Sequence, residues 1–209
     1  MWTARINGAL RPVPPGAVYL LGVLPFGWLV WQTVTGGLGV DPTKVIEHRL
    51  GELALQFLVA GLVVTPLRRI AGVNLIRYRR AIGLLAFFYV SLHLATWLLL
   101  DIQLRWAEIG ADILKRPYIT VGMTGFAMML PLALTSNTWS VRWLGAAAWQ
   151  RLHRLTYGAA VAGAVHYVWL VKAWPPEPLV YLGAVLALLG LRCLPKRRIP
   201  QGTRVSRAG

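Results

Sequence analysis

Six apolar runs, each close to the length of a bilayer crossing, divide this chain, and nearly all of its charge lies in the connections between them. A helix rising 1.5 Å per residue needs about 20 largely apolar residues to cross ~30 Å of hydrocarbon. The runs fall at about 16–35, 50–67, 81–100, 118–136, 150–171 and 178–194; the second carries Glu52 and Gln56 near its start, and the sixth is short. With 56% hydrophobic residues and a mean hydropathy of +0.56, the chain is far from the balance of a soluble domain of this size. The expected fold is an all-α integral membrane bundle of six transmembrane helices within residues 1–194, followed by a basic tail at 195–209.

Loop charge gives the orientation. Placing the N-terminus inside puts 16 of the 22 Lys and Arg residues on the cytoplasmic side, leaving Lys44, Arg49, Arg105, Lys115, Arg116 and Lys172 outside. This satisfies the positive-inside rule at every loop and makes both termini cytoplasmic. All seven acidic residues then fall outside, an agreement the rule does not require. Trp28, Trp31, Trp97, Trp106, Trp169 and Trp174 are expected near the outer interface, and Trp139, Trp143 and Trp149 near the inner one. The stretch Met1–Pro15, with Arg5 and Arg11 and no small-residue cleavage site after the first apolar run, reads as a retained cytoplasmic lead. The formal charge of +15 would suggest nucleic acid in a soluble protein, but these basic residues punctuate apolar runs and no recognition motif accompanies them. The basic tail reads as a strip drawn to anionic lipid.

Three of the four histidines stand within these runs. His93 lies in the third; His153 and His166 lie in the fifth, whose small residues Gly158, Ala159, Ala160, Ala162, Gly163 and Ala164 would let a flat body lie close. Metal-binding side chains inside a span are costly and by default functional. Spans three and five both run outward, and counting from Arg80 and Gln150 places His93 and His166 about 20 and 24 Å from the inner boundary, so they can face each other. Zinc usually requires three or four ligands, and neither Cys193 nor a carboxylate lies at that depth. Haem iron requires only two, because its macrocycle supplies four nitrogens. Without a C-x-x-C-H motif the haem would be non-covalent, of b type. His93 and His166 are therefore the expected axial ligands, a pairing that leaves no position for dioxygen and suits an electron carrier. His153, about 4.5 Å from the inner edge, is open among an inner-haem ligand, a flavin or quinone contact and a structural residue. Arg79, which stands 14 residues before His93, cannot serve as a second iron ligand.

The runs Arg79–His93 (RRAIGLLAFFYVSLH), Thr135–Tyr157 and Ala164–Tyr167, with shorter pieces at Thr35–Pro42, His48–Glu52 and Thr65–Arg69, resemble the ferric-reductase-type transmembrane domain. More narrowly they resemble the haem-binding membrane subunits of periplasmic methionine-sulfoxide reductase systems. The resemblance implies a bacterial inner-membrane electron-transfer subunit, distinct from the catalytic one, carrying haem b and FMN. It would pass electrons from quinone or a cytoplasmic flavin reductase to a periplasmic molybdopterin enzyme that repairs oxidised methionine. His93, His153 and His166 match the haem histidines of that family. Arg77 and Arg80 are candidates for the FMN phosphate, although the positive-inside rule explains them equally. Unlike the NADPH oxidases of the wider superfamily, the chain lacks a second histidine on span three and a soluble nucleotide-binding domain. The non-redox alternatives are a small transporter or channel with a histidine proton relay, and a structural anchor for a periplasmic enzyme. The first is disfavoured because no acid lies mid-span and no inverted repeat is evident.

Overall fold

The computed structural model describes residues 2–171 and 175–193. Within them the chain is helical, without strands. A short α1 (Trp2–Leu10) precedes α2 (Pro15–Val34) and the 30-residue α3 (Pro42–Ala71). A single 3₁₀ turn leads into α4 (Arg79–Thr96), which a π turn prolongs to Asp101; α5 (Trp106–Lys115) and α6 (Pro117–Leu134) follow. Two short helices, α7 (Thr138–Leu144) and α8 (Ala146–Leu152), then lead to α9 (Leu155–Leu170) and α10 (Pro176–Cys193). Lys172, Trp174 and the expected basic tail lie outside the described residues.

Local sequence chemistry sets most of these boundaries. The Asp41 carboxylate accepts from the Lys44 backbone N–H at 3.1 Å, with Pro42 in the first turn of α3 where its missing donor costs nothing. At the other end of α3, Gly72 adopts a left-handed φ of 68° after Arg68 and Arg69, basic residues that complement the carbonyl end of the helix. Asn137 caps α7 through Ser140 at 2.7 Å. The connection after Asp101 holds Gln103 and Leu104 at positive φ and then forms α5, which buries Ile109 and exposes Trp106 and Leu114. It is an amphipathic helix where the sequence reading has only a loop.

Helices α3, α4, α6 and α9 form the centre. The couples α3/α4 and α6/α9 pack most extensively, α4 meets α6, and α3 meets α9; α2 lies outside α4, and α10 lies against α3 and α9. Lipid tails are as apolar as the helices themselves, so close packing of small residues must hold such a bundle together. Ala86, Ala160 and Ala164 are fully buried, and a Cβ on Gly125 of α6 would stand 3.3 Å from that of Ala162 on α9. The expected small-residue stripe is thus divided. Ala160 and Ala164 pack with Leu55, Leu62 and Val185, while Ala159 and Gly163 face a cavity.

Among the described residues, five helices are long and apolar enough to cross a membrane, those beginning at Pro15, Pro42, Ile76, Pro117 and Pro176. The run expected to be one span at 150–171 is instead broken at His153–Arg154, and α9 has 16 residues, about 24 Å. The His153 imidazole Nδ1 bonds the Trp149 carbonyl at 3.1 Å, and the next backbone bonds reach only three residues, from Arg154 N–H to Arg151 O and from Tyr157 N–H to Arg154 O. The His153 backbone N–H keeps its own bond to the same carbonyl at 3.0 Å, and the break lies in the three-residue turns that follow. One aromatic expectation also changes. Trp28, Trp31, Trp106, Trp139, Trp143 and Trp169 are exposed, as interfacial residues should be, but Trp97 is buried with Ile102, Ile109 and Ile119.

The alternation of helix directions collects all seven acids at the end holding Asp41, Asp101 and Pro176. The basic residues Arg68, Arg69, Arg77, Arg79, Arg80, Arg142, Arg151, Arg154 and Arg192 lie at the opposite end. At that basic end Asn7 of α1 clamps Gly72 O and Asn74 N–H, and the Tyr78 hydroxyl shares its one proton between Leu10 O at 2.8 Å and Val13 O at 2.9 Å. Helix α2 is tied on by the buried Tyr89 hydroxyl, which donates to Gly22 O at 2.6 Å. Tyr89→Phe is expected to destabilise the folded protein in detergent by about 1 kcal/mol. Thermal unfolding measures this, and an unchanged midpoint would show that the bond contributes nothing to holding α2.

Candidate functional site

Two cavities lie between the four central helices. The one nearer the acidic end, the outer cavity, has a volume of about 290 Å³ and is walled by Leu55, Leu58, Phe126, Met123 and Met129, with Gly51, Gly122, Gly125 and Gly163 among its lining. His93 from α4 and His166 from α9 enter it from opposite couples, their ring centroids 6.2 Å apart and their planes at 76°.

Each ring is held in the same way. The Nδ1 of His93 bonds Glu47 O of α3 at 2.8 Å, and the Nδ1 of His166 bonds Tyr118 O of α6 at 2.7 Å. With the carbonyl as acceptor, Nδ1 carries the proton, leaving Nε2 as the lone-pair nitrogen. A glycine four residues beyond each carbonyl, one turn along the same helix face, makes room for the ring. A Cβ on Gly51 would stand 3.2 Å from His93 Nδ1, and one on Gly122 only 2.8 Å from His166 Nδ1. This is the arrangement in which outer hydrogen bonds fix a metal-binding imidazole by tautomer and direction.

The gap suits one metal atom. Taking zinc as the measure, each imidazole nitrogen stands about 2.0–2.1 Å from a shared ion, and the ring centres lie further back on either side, compatible with 6.2 Å. Among the described residues no group of three or more His, Cys, Asp or Glu is placed to hold a metal ion. An ion gripped by these two rings alone therefore needs its remaining ligands from a macrocycle, and the glycine-lined apolar walls provide a slot for one. The residues present fit a haem.

The mouth of this cavity at the acidic end is charged. Lys44 bridges Glu47 at 3.1 Å and Asp101 at 2.8 Å; Arg116 pairs with Asp112 at 3.2 Å. The Tyr118 hydroxyl and the carboxylates of Asp112 and Asp101 hold the Arg116 guanidinium above its ordinary pKa. Glu52 accepts from the Tyr167 hydroxyl at 3.3 Å and pairs with Arg49 at 3.2 Å.

The inner cavity, about 620 Å³, opens at the basic end and meets the outer one at Leu58 and Met129, which line both. His153 lines it, its ring stacked on Trp149 at 3.7 Å, and its Nε2 is buried without a hydrogen-bond partner. An orphaned buried nitrogen calls for an explanation, and a ligand of this cavity would satisfy it. Arg79, Arg80 and Arg154 also line the cavity, and no carboxylate does. Of the two arginines expected at an FMN phosphate, Arg80 faces this space. Arg77 does not line it, and its guanidinium donates to Arg11 O at 2.9 Å.

The sequence reading placed the three histidines but missed what orients them. Glu47/Gly51 and Tyr118/Gly122 repeat one carbonyl-then-glycine spacing on two helices, the only signal that could have pointed to them. It also missed Arg192 of α10, which reaches Leu62 O at 2.7 Å and the Tyr157 hydroxyl at 3.0 Å with its Nε buried and unpartnered.

The chain is similar to known proteins. Residues 49–164 match the family described as ferric reductase like transmembrane component. The chain is 46% identical over 194 residues to the protein-methionine-sulfoxide reductase heme-binding subunit MsrQ of Brucella anthropi, covering 90% of this chain and 88% of that one. To the MsrQ subunits of Brucella ovis and Brucella abortus it is 49% identical over 172 residues, 82% of this chain and 78% of each of theirs.

Proposed function

The chain belongs to the MsrQ family of ferric-reductase-like transmembrane components, multi-pass proteins of the bacterial inner membrane, and on that premise we propose that it is a b-type cytochrome subunit. It relays electrons across that membrane to a periplasmic molybdopterin methionine-sulfoxide reductase, for repair of oxidised proteins. The observation that carries this reading is the His93–His166 pair: two rings from different helices, 6.2 Å apart, each tied through Nδ1 to a backbone carbonyl.

Haem, when bound, supplies one-electron chemistry at its iron, and the chain's task is binding, orientation and electrostatics. His93 and His166 would hold the haem through neutral Nε2 atoms, and with both nitrogens engaged the group would supply electron transfer rather than dioxygen chemistry. Gly51 and Gly122 let the rings seat against α3 and α6, while Leu55, Leu58, Met123, Phe126 and Met129 exclude water.

The basic end is cytoplasmic, by the positive-inside rule. The inner cavity is the entry point for electrons from quinone or a flavin reductase. There the unpartnered Nε2 of His153 would meet a second haem, a flavin or a quinone, and Arg80, beside Arg79 and Arg154, would attract an anionic group such as the phosphate of FMN. Leu58 and Met129 are the partition between entry and exit sites. The acidic outer end faces the periplasmic reductase, where opposite charge would favour a basic docking face.

His93→Ala and His166→Ala are each expected to abolish the six-coordinate haem b signal in a reduced-minus-oxidised spectrum while the protein still inserts; an unaltered spectrum in either would refute the pairing. Gly122→Leu is expected to weaken haem retention about 10- to 100-fold, as loss of an outer hydrogen bond does at metal sites. Gly190→Leu, whose added side chain starts in open space, should retain haem, and equal behaviour of the two would remove the glycine from the site. A reporter fused after Arg142 should be active only in its cytoplasmic form, and periplasmic activity there would invert the orientation.

A further inference from the structure

Beside its apolar walls the outer cavity is lined by three carboxylates, Glu47, Glu52 and Asp101, each paired with Lys44 or Arg49. Of its lining residues two are Lys or Arg, Lys44 at the start of α3 and Arg116 just before α6, and both stand at the acidic end. Asp101 lies between their fields: its Oδ2 is 2.8 Å from Lys44 Nζ, and its charge also acts on Arg116. Neither cation is saturated. An ammonium has three donors, of which Lys44 uses two on Glu47 and Asp101; a guanidinium has five, and Arg116 uses its Nε on Asp112 and one Nη on Tyr118. Their side chains are 47% and 53% exposed, so each can turn toward a new partner.

Haem b carries two carboxylates on one edge of an otherwise apolar disc. A carboxylate turned toward Leu58, Phe126 and Met129 would be desolvated with no donor, at heavy cost. At the mouth it meets two cations with donors to spare. We propose that Lys44 and Arg116 are the propionate-binding residues of this site, fixing the disc with its carboxylate edge toward the acidic end of the bundle. Asp101 is their competitor anion, holding Lys44 in place until the carboxylates take it over. Beyond fixing orientation, the two cations raise the reduction potential, because positive charge near the iron disfavours the ferric state.

This rests on the haem reading above, and the two fail separately. A parent protein purified without haem sinks that reading; a haem-loaded parent tests this one. The measurements are the rate of haem transfer from the detergent-solubilised protein to an apo-globin acceptor and the midpoint potential of the bound haem. In the double variant Lys44→Gln, Arg116→Gln the six-coordinate spectrum should persist, transfer should be at least about tenfold faster, as expected for losing charge-assisted bonds, and the potential should fall. Asp101→Asn should shift both quantities in the opposite direction. Reconstitution with the dimethyl ester of haem separates lost carboxylate contacts from general loosening. The parent should release the ester at least about tenfold faster than haem, whereas the double variant should release both at one rate. A double variant with the parent's haem-loss rate and potential, or one that still prefers haem to its ester as strongly as the parent does, would overturn the proposal.

Discussion

The site depends on two hydrogen bonds from imidazole Nδ1 to backbone carbonyls, that of His93 to Glu47 and that of His166 to Tyr118. An imidazole inside a bundle is a weak instruction until one nitrogen is committed; once Nδ1 donates to a carbonyl, Nε2 keeps the lone pair and its direction is set. The carbonyl belongs to the neighbouring helix in each case, so the helix couple, not the histidine-bearing helix alone, is the unit that orients the ring. The couples α3/α4 and α6/α9 are the most extensive contacts in the molecule. Each contributes one carbonyl, one glycine a turn later and one ring, and the two couples face each other across a shared cavity.

Around that centre the chain separates its polarity along the bundle axis. Acidic residues collect at one end and most basic residues at the other, with the outer cavity opening to the first and the inner to the second. Leu58 and Met129, lining both, keep the two spaces distinct while holding them a single side-chain layer apart. His153 and Arg80 face the inner space, whereas Arg77 bonds a carbonyl of the N-terminal segment. Helix α1, held by Asn7 and by Tyr78, thereby ties the basic loop that carries Arg79 and Arg80 to the rest of the bundle.

The all-helical membrane fold and the approach of His93 to His166 were legible from hydropathy and helix rise, because both are nearly one-dimensional properties. Other features were not. Counting residues from Gln150 assumed a continuous helix, and the turn at His153–Arg154 breaks it, the backbone bonds there tightening to three-residue spacing. Trp97 read as an interfacial anchor by position, but the π turn and α5 fold over it, so it packs in the core. The stripe of small residues in α9 read as one surface, yet it serves two purposes: Ala160 and Ala164 close the packing against α3 and α10, and Ala159 and Gly163 line the cavity. Which side of a helix a small residue serves depends on neighbours that no spacing rule names.

What the sequence by itself determined is the class of object: apolar runs of bilayer length, charge sorted by loop, and histidines at matched depth, all of which follow from the fixed 1.5 Å rise and the cost of charge in hydrocarbon. What only the tertiary structure decided is which atoms meet. The carbonyls of Glu47 and Tyr118 are identical in kind to every other carbonyl in the chain, and they become partners of the two rings only because helix couples pack over glycines at one crossing point. Backbone groups carry no side-chain signature, so a contact made through them is invisible until the helices are placed.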